Sequence, residues 1–398
     1  MSKKILSINS GSSSLKFKLY EMPDEQVLAS GQVDRIGLEN STFNYKINDK
    51  TTESIRTIKN HDEAIKTVIS MLLTSGVIAN KSEIAGVGHR VSHGGSYYPE
   101  SVLVDEDVKK RIDELGVLSP LHNPVNLIGI QDFEKLLPEA KEVAVFDTSF
   151  HQTMPEESYM YALPYEYYEK YGIRRYGFHG PSHEYVSLKA NELFGDEKTK
   201  KIISCHLGNG SSLCAIKDGK SVNTSMGFTP LAGLVMGSRS GDIDPEILPF
   251  IEEKLDMDSH QVLEMLNKKS GLLGLSGVSS DVRDVEKAAN NGNSRAKMAL
   301  KVFVHQIQHY IGAYASDIGG LDTLIFTAGI GEHSWTMRSA ICEKLEYLGV
   351  KIDEEKNRQS ALSIEAEDSK VKIAVIPTDE EIMIARDVMR VAGFNNRG

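Results

Sequence analysis

Glycine and hydroxyl residues gather twice at the end of a strand-like run, as NSGSSSLK at residues 9–16 and as HLGNGSS at residues 206–212. Backbone N–H groups at such a turn can converge on a phosphate, although a plain tight hairpin uses the same residues. The recurrence favours phosphate. Neither segment fits G-x-x-x-x-G-K-[ST], and no G-x-G-x-x-G follows a strand, so a nucleotide site here is neither a Walker A loop nor a Rossmann turn. At residues 88–95, GHRVSHGG sets Arg90 at a strand end among glycines that allow close backbone approach. A guanidinium can grip a carboxylate through two parallel hydrogen bonds, which a lysine cannot copy; a solvated surface arginine is the alternative. FHGPSH at residues 178–183 presents a histidine before a helix expected to start near Ser182, where it serves chemistry or the local backbone equally well. GSRSGDIDP at residues 237–245 holds Arg239 in a loop too rich in glycine and acid for a core element. An arginine held in a loop suits charge that develops in a transition state. DVR at residues 281–283 and GIGEH at residues 329–333 each precede a helical stretch, the second directly after a buried strand. Ligands of layered α/β folds collect beyond such strand ends, and an ordinary strand-to-helix turn uses glycine too. TDEE at residues 378–381 has capping-box spacing, and its acids need do no more than start the last helix.

The elements that must hold these residues show an internal echo. Residues 4–11 (KILSINSG) lead through Ser12 into SSL at 13–15, and residues 201–208 (KIISCHLG) lead into SSL at 211–213, the two copies differing by one residue in the turn. Each copy predicts a buried strand, a turn and a second strand, the latter marked by Leu15, Phe17 and Leu19 or by Leu213 and Ala215 before the Asp218–Gly219 turn. Two similar halves are expected. Further strands are predicted over residues 42–47, 54–58, 142–147, 323–327 and 372–376, and helices over 63–73, from Pro124 to Leu136, and over 295–318. Strands mostly precede helices, which implies α/β layers. With 398 residues the chain exceeds one ordinary core, so domains over residues 1–150 and 151–378 are expected, the boundary lying near the loop at 150–157 and the last helix, 379–398, being available to pack back on the first.

Composition narrows the partners. A formal net charge of −11 repels nucleic acid and anionic membranes, so neither is an expected partner. The longest apolar runs are strand-sized, well short of the about 18 residues that a span needs. The start, MSKK, leads straight into a strand without a secretory pattern, which implies a cytoplasmic protein. Cys205, Cys214 and Cys342 are odd in number and lack C-x-x-C spacing, so reduced, buried thiols are expected rather than disulfides or zinc.

In order and spacing, NSGSSSLK, HRVSHGG, FHGPSH, HLGNGSS, GSRSGDIDP, DVRD, GIGEHS and TDEE resemble the acetate kinase (acetokinase) family over essentially the whole chain. The resemblance implies the duplicated actin-like, ribonuclease H-like ATPase fold shared with sugar kinases, actin and chaperone ATPases, with two domains and a central cleft for ATP. It also implies a homodimer that transfers the γ-phosphoryl group of ATP reversibly to acetate, giving acetyl phosphate and ADP, with Mg²⁺ or Mn²⁺ as cofactor. Carried over by position, Asn9 and Glu380 would organise the metal, and Ser12, Ser14 and Lys16 would lie near the phosphates. His206, Leu207, Gly208, Asn209, Gly210, Asp281, Val282, Arg283, Gly329, Ile330, Gly331, Glu332 and His333 would bind the nucleotide. Arg90 would hold the acid's carboxylate, with Leu121, Phe178 and Pro230 around its methyl group and Ser92 and His122 beside it. Asp147 would accept a proton or position a group, and His179 and Arg239 would stabilise the phosphoryl group in flight. At Ser92 the family more often has an aliphatic residue, and at Asp379 an asparagine; the first difference bears on acyl-chain preference. A carboxylate with a pKa of about 4 is already ionised at neutral pH, so no general base is needed and Asp147 reads better as an orienting group. Two rival readings are a propionate or butyrate kinase with a larger pocket, and an ATPase module that controls binding; Arg90 among its glycines argues against the second.

Overall fold

A computed structural model describes residues 2–394. Residues 395–398, the end of the last expected helix, lie outside the described residues. The chain divides into two compact units, Met1–Ser149 with Asp379–Gly398, and Phe150–Thr378.

The first unit is built on β1 (Lys3–Ser10), β2 (Ser14–Met22), β3 (Gln26–Asp34), β4 (Ser41–Ile47), β5 (Lys50–Arg56), β6 (Ile84–Val91), β7 (Val102–Leu103) and β8 (Lys141–Phe146). They form one sheet in the order β5-β4-β3-β2-β1-β6-β8-β7, with β1 antiparallel to β2 but parallel to β6, and β6 parallel to β8. The second unit carries β9 (Lys201–Leu207), β10 (Ser211–Lys217), β11 (Lys220–Thr224), β12 (Thr323–Thr327) and β13 (Lys372–Val375), ordered β11-β10-β9-β12-β13. That order repeats β3-β2-β1-β6-β8, with the same antiparallel hairpin and the same parallel crossovers. The duplication expected from the two echoing hairpins is therefore present. The two turns are not equivalent and Ser12 is not a simple insertion: residues 11–14 bridge Ser10 and Leu15, whereas residues 208–210 bridge Leu207 and Ser211, so Leu15 pairs with Ser10 while Leu213 pairs with Cys205.

Each sheet is covered on both faces, as α/β layering requires. In the first unit Leu6, Ile8, Leu15 and Phe17 pack with Ile65, Val68 and Leu72 of the helix His61–Thr74. The other face of β1, β6 and β8 receives the helix Glu380–Val391. Gly86 and Gly88 leave room for it: a Cβ at Gly88 would fall 2.3 Å from Ile384 Cγ2 and one at Gly86 2.6 Å from Val388 Cγ1. In the second unit Ile203, Cys205 and Leu213 pack with Phe303, Ile307 and Ile311 of the long helix Ser294–Ile318. The helix Gly180–Phe194 covers the opposite face through Val186 and Ala190 on Ile202, Cys214 and Ile325. All three cysteines are free and buried, and no helix of the described residues is long and apolar enough to cross a membrane.

The structure corrects four local expectations. The strand predicted over residues 54–58 is β5, Lys50–Arg56, which begins at a left-handed turn at Asn48 and Asp49 and ends before Ile58 enters the core. It is a polar edge strand, so hydrophobic alternation does not report it. Residues 150–157 are no plain loop but a 3₁₀ turn at Ser149–Thr153 and a short helix at Glu156–Tyr159. GIGEH does not merely precede a helix: it forms the short helix Ala328–His333. The last helix is capped by Asp379, whose carboxylate accepts from the Ile382 N–H, while the Thr378 hydroxyl is bonded to Ser182 instead.

Candidate active site

In the first unit the parallel pairing of β6 and β8 brings Arg90 opposite Val145, and Asp147 follows directly as its N–H donates to the Val91 carbonyl. Arg90 donates from Nε to Asp147 Oδ1 at 2.8 Å and from Nη2 to Oδ2 at 2.6 Å. Glu380, the first residue of its helix, places Oε2 3.7 Å from Arg90 Nε. Burial disfavours the charge on Arg90, but Asp147 and then Glu380 outweigh it and hold the guanidinium protonated. For Glu380 burial raises the pKa, Arg90 works against this, Asp147 and Glu381 add to it, and Lys16 opposes it. Asn9 and Lys16 face each other across the β1–β2 pairing, at the same strand ends. Arg90, Asp147, Glu380 and Lys16 thus form one electrostatic group.

Two asparagines that the sequence reading passed over fix the segment after Arg90. Asn126 Oδ1 accepts from the Ser92 N–H while its Nδ2 donates to the Ser10 carbonyl. Asn123 exchanges two hydrogen bonds with the His93 backbone. Both sit in the first turn of the helix Asn123–Leu136, buried, and burial of paired amides three residues apart is the signal a sequence could carry. Ser92 is thereby held through its backbone, and Leu121 and His122 lie exposed just before that helix. Of the acyl-pocket residues expected, Arg90, Ser92, Leu121 and His122 belong to the first unit and Phe178 and Pro230 to the second.

In the second unit His179 adopts φ 57°, ψ 24°, a left-handed conformation unusual for a residue with a Cβ, directly before the helix Gly180–Phe194. Its Nδ1 lies 2.9 Å from Ser212 Oγ, and its ring stacks on His206 with centroids 4.1 Å apart. His206 Nδ1 meets Ser182 Oγ at 2.8 Å, which in turn meets Thr378 at 2.7 Å. Gly210 lies where His179 and Arg239 converge: a Cβ there would stand 3.8 Å from His179 Nε2 and 3.5 Å from Arg239 Nη1. Arg239 makes only long contacts among the described residues, to the Pro230 carbonyl at 3.4 Å and Met236 Sδ at 3.8 Å. Burial alone lowers its pKa. A partly buried guanidinium with unmet donors beside a glycine turn is a receptor for an anion. Phe178 packs below with Met226 and Met236.

Next to this turn lies a cavity of about 720 Å³, lined by Gly208, Asn209, Asp281, Val282, Arg283, Gly329, Ile330 and His333 among the predicted residues. Its volume falls within the range of small-ligand pockets. Gly237 packs against Asn209 of the lining, its N–H donating to the Asn209 carbonyl, and a Cβ there would fall 1.9 Å from Asn209 Oδ1. Asp281 caps the helix Val282–Asn290 and sits below the ordinary carboxylate range because the Arg283 side chain, then its N–H, bond to it. The sequence reading missed Ser280, Glu286, Asn290, Ser334, Trp335 and Thr336 of the lining. Glu286 lies four residues after Val282 on the same helix face, and Trp335 is the chain's single tryptophan; both were available signals. Leu207, Gly331 and Glu332, also expected at the nucleotide, do not line the cavity. Leu207 is buried in the core, Gly331 is buried under the turn, and the Glu332 carboxylate accepts from the N–H groups of Ala328 and Thr378 rather than lining the cavity.

The profile of the acetokinase family matches residues 4–386. The acetate kinase of Geobacillus kaustophilus (strain HTA426) is 54% identical over 394 residues, 98% of this chain and 100% of that one. The crystal structure of Porphyromonas gingivalis acetate kinase superposes with a TM-score of 0.92 at 45% identity, covering 98% of this chain and 100% of the other. A propionate kinase from Francisella tularensis subsp. tularensis SCHU S4 gives a TM-score of 0.92 at 41% identity, covering 97% and 98%. The same α/β fold, the same length and this level of identity place the chain in the acetokinase family.

Proposed function

We propose that this chain transfers the terminal phosphoryl group of ATP to acetate, releasing ADP and acetyl phosphate by direct in-line displacement, and runs the reverse reaction from the same site. The observation that carries the mechanism is the contrast between its two arginines. Arg90 is held in a two-bond clamp by Asp147, which leaves both Nη1 hydrogens and one on Nη2 for a second carboxylate. Asp147 already accepts two charge-assisted bonds, so it orients Arg90 and removes no proton. The acetate carboxylate is ionised at neutral pH and attacks without a base. Arg239 has no carboxylate partner among the described residues and lies against Gly210 with His179, so these two meet the oxygens of the phosphoryl group as charge spreads over them. The cavity beside Asn209 and Gly329 takes the rest of the nucleotide.

A magnesium ion fits the residues at the strand ends. Asn9 and Glu380 offer hard oxygen donors, and the crowding of Glu380 by Asp147 and Glu381 is relieved by a divalent cation. Asn9 and Glu380 would hold it, and bound Mg²⁺ or Mn²⁺ supplies charge neutralisation to the phosphate oxygens. A cytoplasmic homodimer belongs to the same reading. Propionate is a second candidate acceptor, on the likeness to the Francisella propionate kinase and on Ser92, whose hydroxyl offers less apolar contact than an aliphatic residue.

Steady-state kinetics test this reading. Acetate should give the highest kcat/KM of a panel of short acids. Arg239→Ala should lower kcat by roughly 10³-fold with little change in KM, as expected of a group that acts on developing charge. Arg90→Ala should raise the KM for acetate far more than that for ATP. Normal kcat in Arg239→Ala, or an unchanged acetate KM in Arg90→Ala, would show these roles to be wrongly assigned.

A further inference from the structure

Behind His179 a row of buried polar side chains interrupts an otherwise apolar layer. Along β9 the face toward the helix Gly180–Phe194 runs Ile202, Ser204, His206, and along β10 it runs Ser212, Cys214, Ile216. His183, one turn into that helix, lies between the strands. Its Nδ1 is 2.5 Å from Ser204 Oγ and its Nε2 2.8 Å from Ser212 Oγ, and all three residues are fully buried. Ser212 Oγ is in turn 2.9 Å from His179 Nδ1. The row is therefore a continuous chain, Ser204–His183–Ser212–His179, that ends at the turn holding Gly210 and Arg239.

The protons in this chain can be counted. Burial first, and then the neighbouring His151 and His206, push the His183 pKa well below the ordinary value, so the ring is neutral and has one donor and one acceptor. If His183 carries its proton on Nδ1, it donates to Ser204, and the Ser204 hydroxyl hydrogen has no acceptor, since that hydroxyl meets only His183 among the described residues. A buried donor without a partner is costly. If the proton is on Nε2, every donor is used: Ser204 donates to His183 Nδ1, His183 donates from Nε2 to Ser212, and Ser212 donates to His179 Nδ1. Resting on the reading that His179 meets the phosphoryl group, we propose that Ser204, His183 and Ser212 are positioning residues that fix His179 with its proton on Nε2, so that it presents an N–H donor toward the Gly210 and Arg239 side. The left-handed backbone at His179 is the local strain accepted to put the ring in that place. The titratable and charged groups facing the ring include His206, stacked on it, His183, and Arg239 across Gly210.

The test is ¹⁵N NMR of histidine-labelled full-length protein, which reads the tautomer of each ring directly, combined with kinetics. Wild type should show His179 protonated on Nε2. Ser204→Ala makes no contact with His179; it removes the donor to His183 Nδ1 without giving an Nδ1 proton any acceptor, so it should weaken the Nε2 preference and shift His179 only in part toward the Nδ1 tautomer. Ser212→Ala should mix the two tautomers. At pH 8.5 kcat should fall roughly three- to tenfold in Ser212→Ala and by less in Ser204→Ala, with acid KM unchanged in both. The loss should shrink at pH 6, because a doubly protonated ring carries an Nε2 proton whatever its neighbour does. A purely structural role would move melting temperature without this pH dependence. An Nδ1-protonated His179 in the wild type, or variants that keep both the tautomer and kcat, would overturn the proposal. His179→Ala separates the underlying reading: if it retains kcat, His179 does not act on the phosphoryl group, whatever tautomer the spectra show.

Discussion

At the scale of single residues, the face of β6 opposite Arg90 carries a second charge pair with different physics. His89 Nε2 lies 2.5 Å from Glu142 Oε2, both residues are buried, and Glu142 Oε1 has no hydrogen-bond partner among the described residues. Burial raises the Glu142 pKa above its ordinary 4.5; the bond to His89 and its charge offset this only in part, and Glu134 adds to the rise. Because the folded pKa is raised, the folded chain holds the proton more tightly than the unfolded one. The stabilisation is complete below about pH 4.5 and is lost as pH rises through the folded value. Glu142→Gln keeps an acceptor for His89 but cannot ionise. Its stability relative to wild type should therefore increase from about pH 4.5 upward and then level off, by about 1.4 kcal/mol for each tenfold difference in proton affinity. Urea unfolding at a series of pH values would show it, and a difference that stays flat with pH would refute it. Residue types were readable before the fold was known, but their partners were not. Arg90 announced itself by its glycines, whereas Asp147 lies 57 positions away and is joined to it only by the pairing of β6 with β8. Arg239 was legible as a loop arginine, and its lack of a carboxylate could be seen only in space.

At the scale of elements, long periodic segments were legible and short irregular ones were not. The helix Ser294–Ile318 and strand β12 stand where their apolar spacing put them, while β5 is a polar edge strand and the turn after β12 is a one-turn helix. That turn shows why. Its shape is set by Arg338, which is fully buried in the helix Trp335–Cys342 and reads in sequence like an ordinary helix-surface charge. Arg338 Nη1 donates to the carbonyls of Gly331 at 2.7 Å and Glu332 at 2.9 Å. Nε and Nη2 bind the side chain and carbonyl of Asn357, and Nη2 also reaches Ser360. Burial lowers its pKa to about 10, so it stays charged at neutral pH and every bond is charge-assisted. A lysine cannot copy this planar fork. Arg338→Lys should cost about 2–4 kcal/mol of stability through the donors and acceptors left unmatched. Because the carbonyls it holds end the turn that lines the cavity proposed for the nucleotide, the KM for ATP should rise while that for the acid holds. Thermal melting and two-substrate kinetics decide; a normal ATP KM in a folded variant would show that the turn keeps its shape without the clamp.

At the scale of the whole molecule, the two echoing hairpins revealed the duplication, and the last helix, expected as available to pack back on the first half, belongs to the first unit. Chain order alone would assign the helix Glu380–Val391 to the second unit, since it follows β13 directly. Comparison of the halves explains where it goes. The helix Gly180–Phe194, just before β9, covers β9 and β12; their counterparts are β1 and β6, and these are covered by the last helix instead. Gly86 and Gly88 on β6 accept it, since side chains there would strike Val388 and Ile384. The first unit thus depends on residues from the far end of the chain. The helix buries Ile382, Met383, Ile384, Ala385, Val388 and Met389. At about 1.5–3 kcal/mol for each large side chain, that is roughly 10 kcal/mol, comparable to the whole stability of a domain. A chain ending at Thr378 should therefore lose amide protection in β1, β6 and β8, while β9 and β12, which have their own covering helix, stay protected. Hydrogen exchange read by mass spectrometry resolves the two sets of strands. Adding a peptide of residues 379–398 should restore protection to the first set, because the groove formed by Gly86 and Gly88 is specific for that helix. If β1 and β6 exchange as slowly without the helix as with it, the first unit folds on its own and the last helix serves chiefly to deliver Glu380.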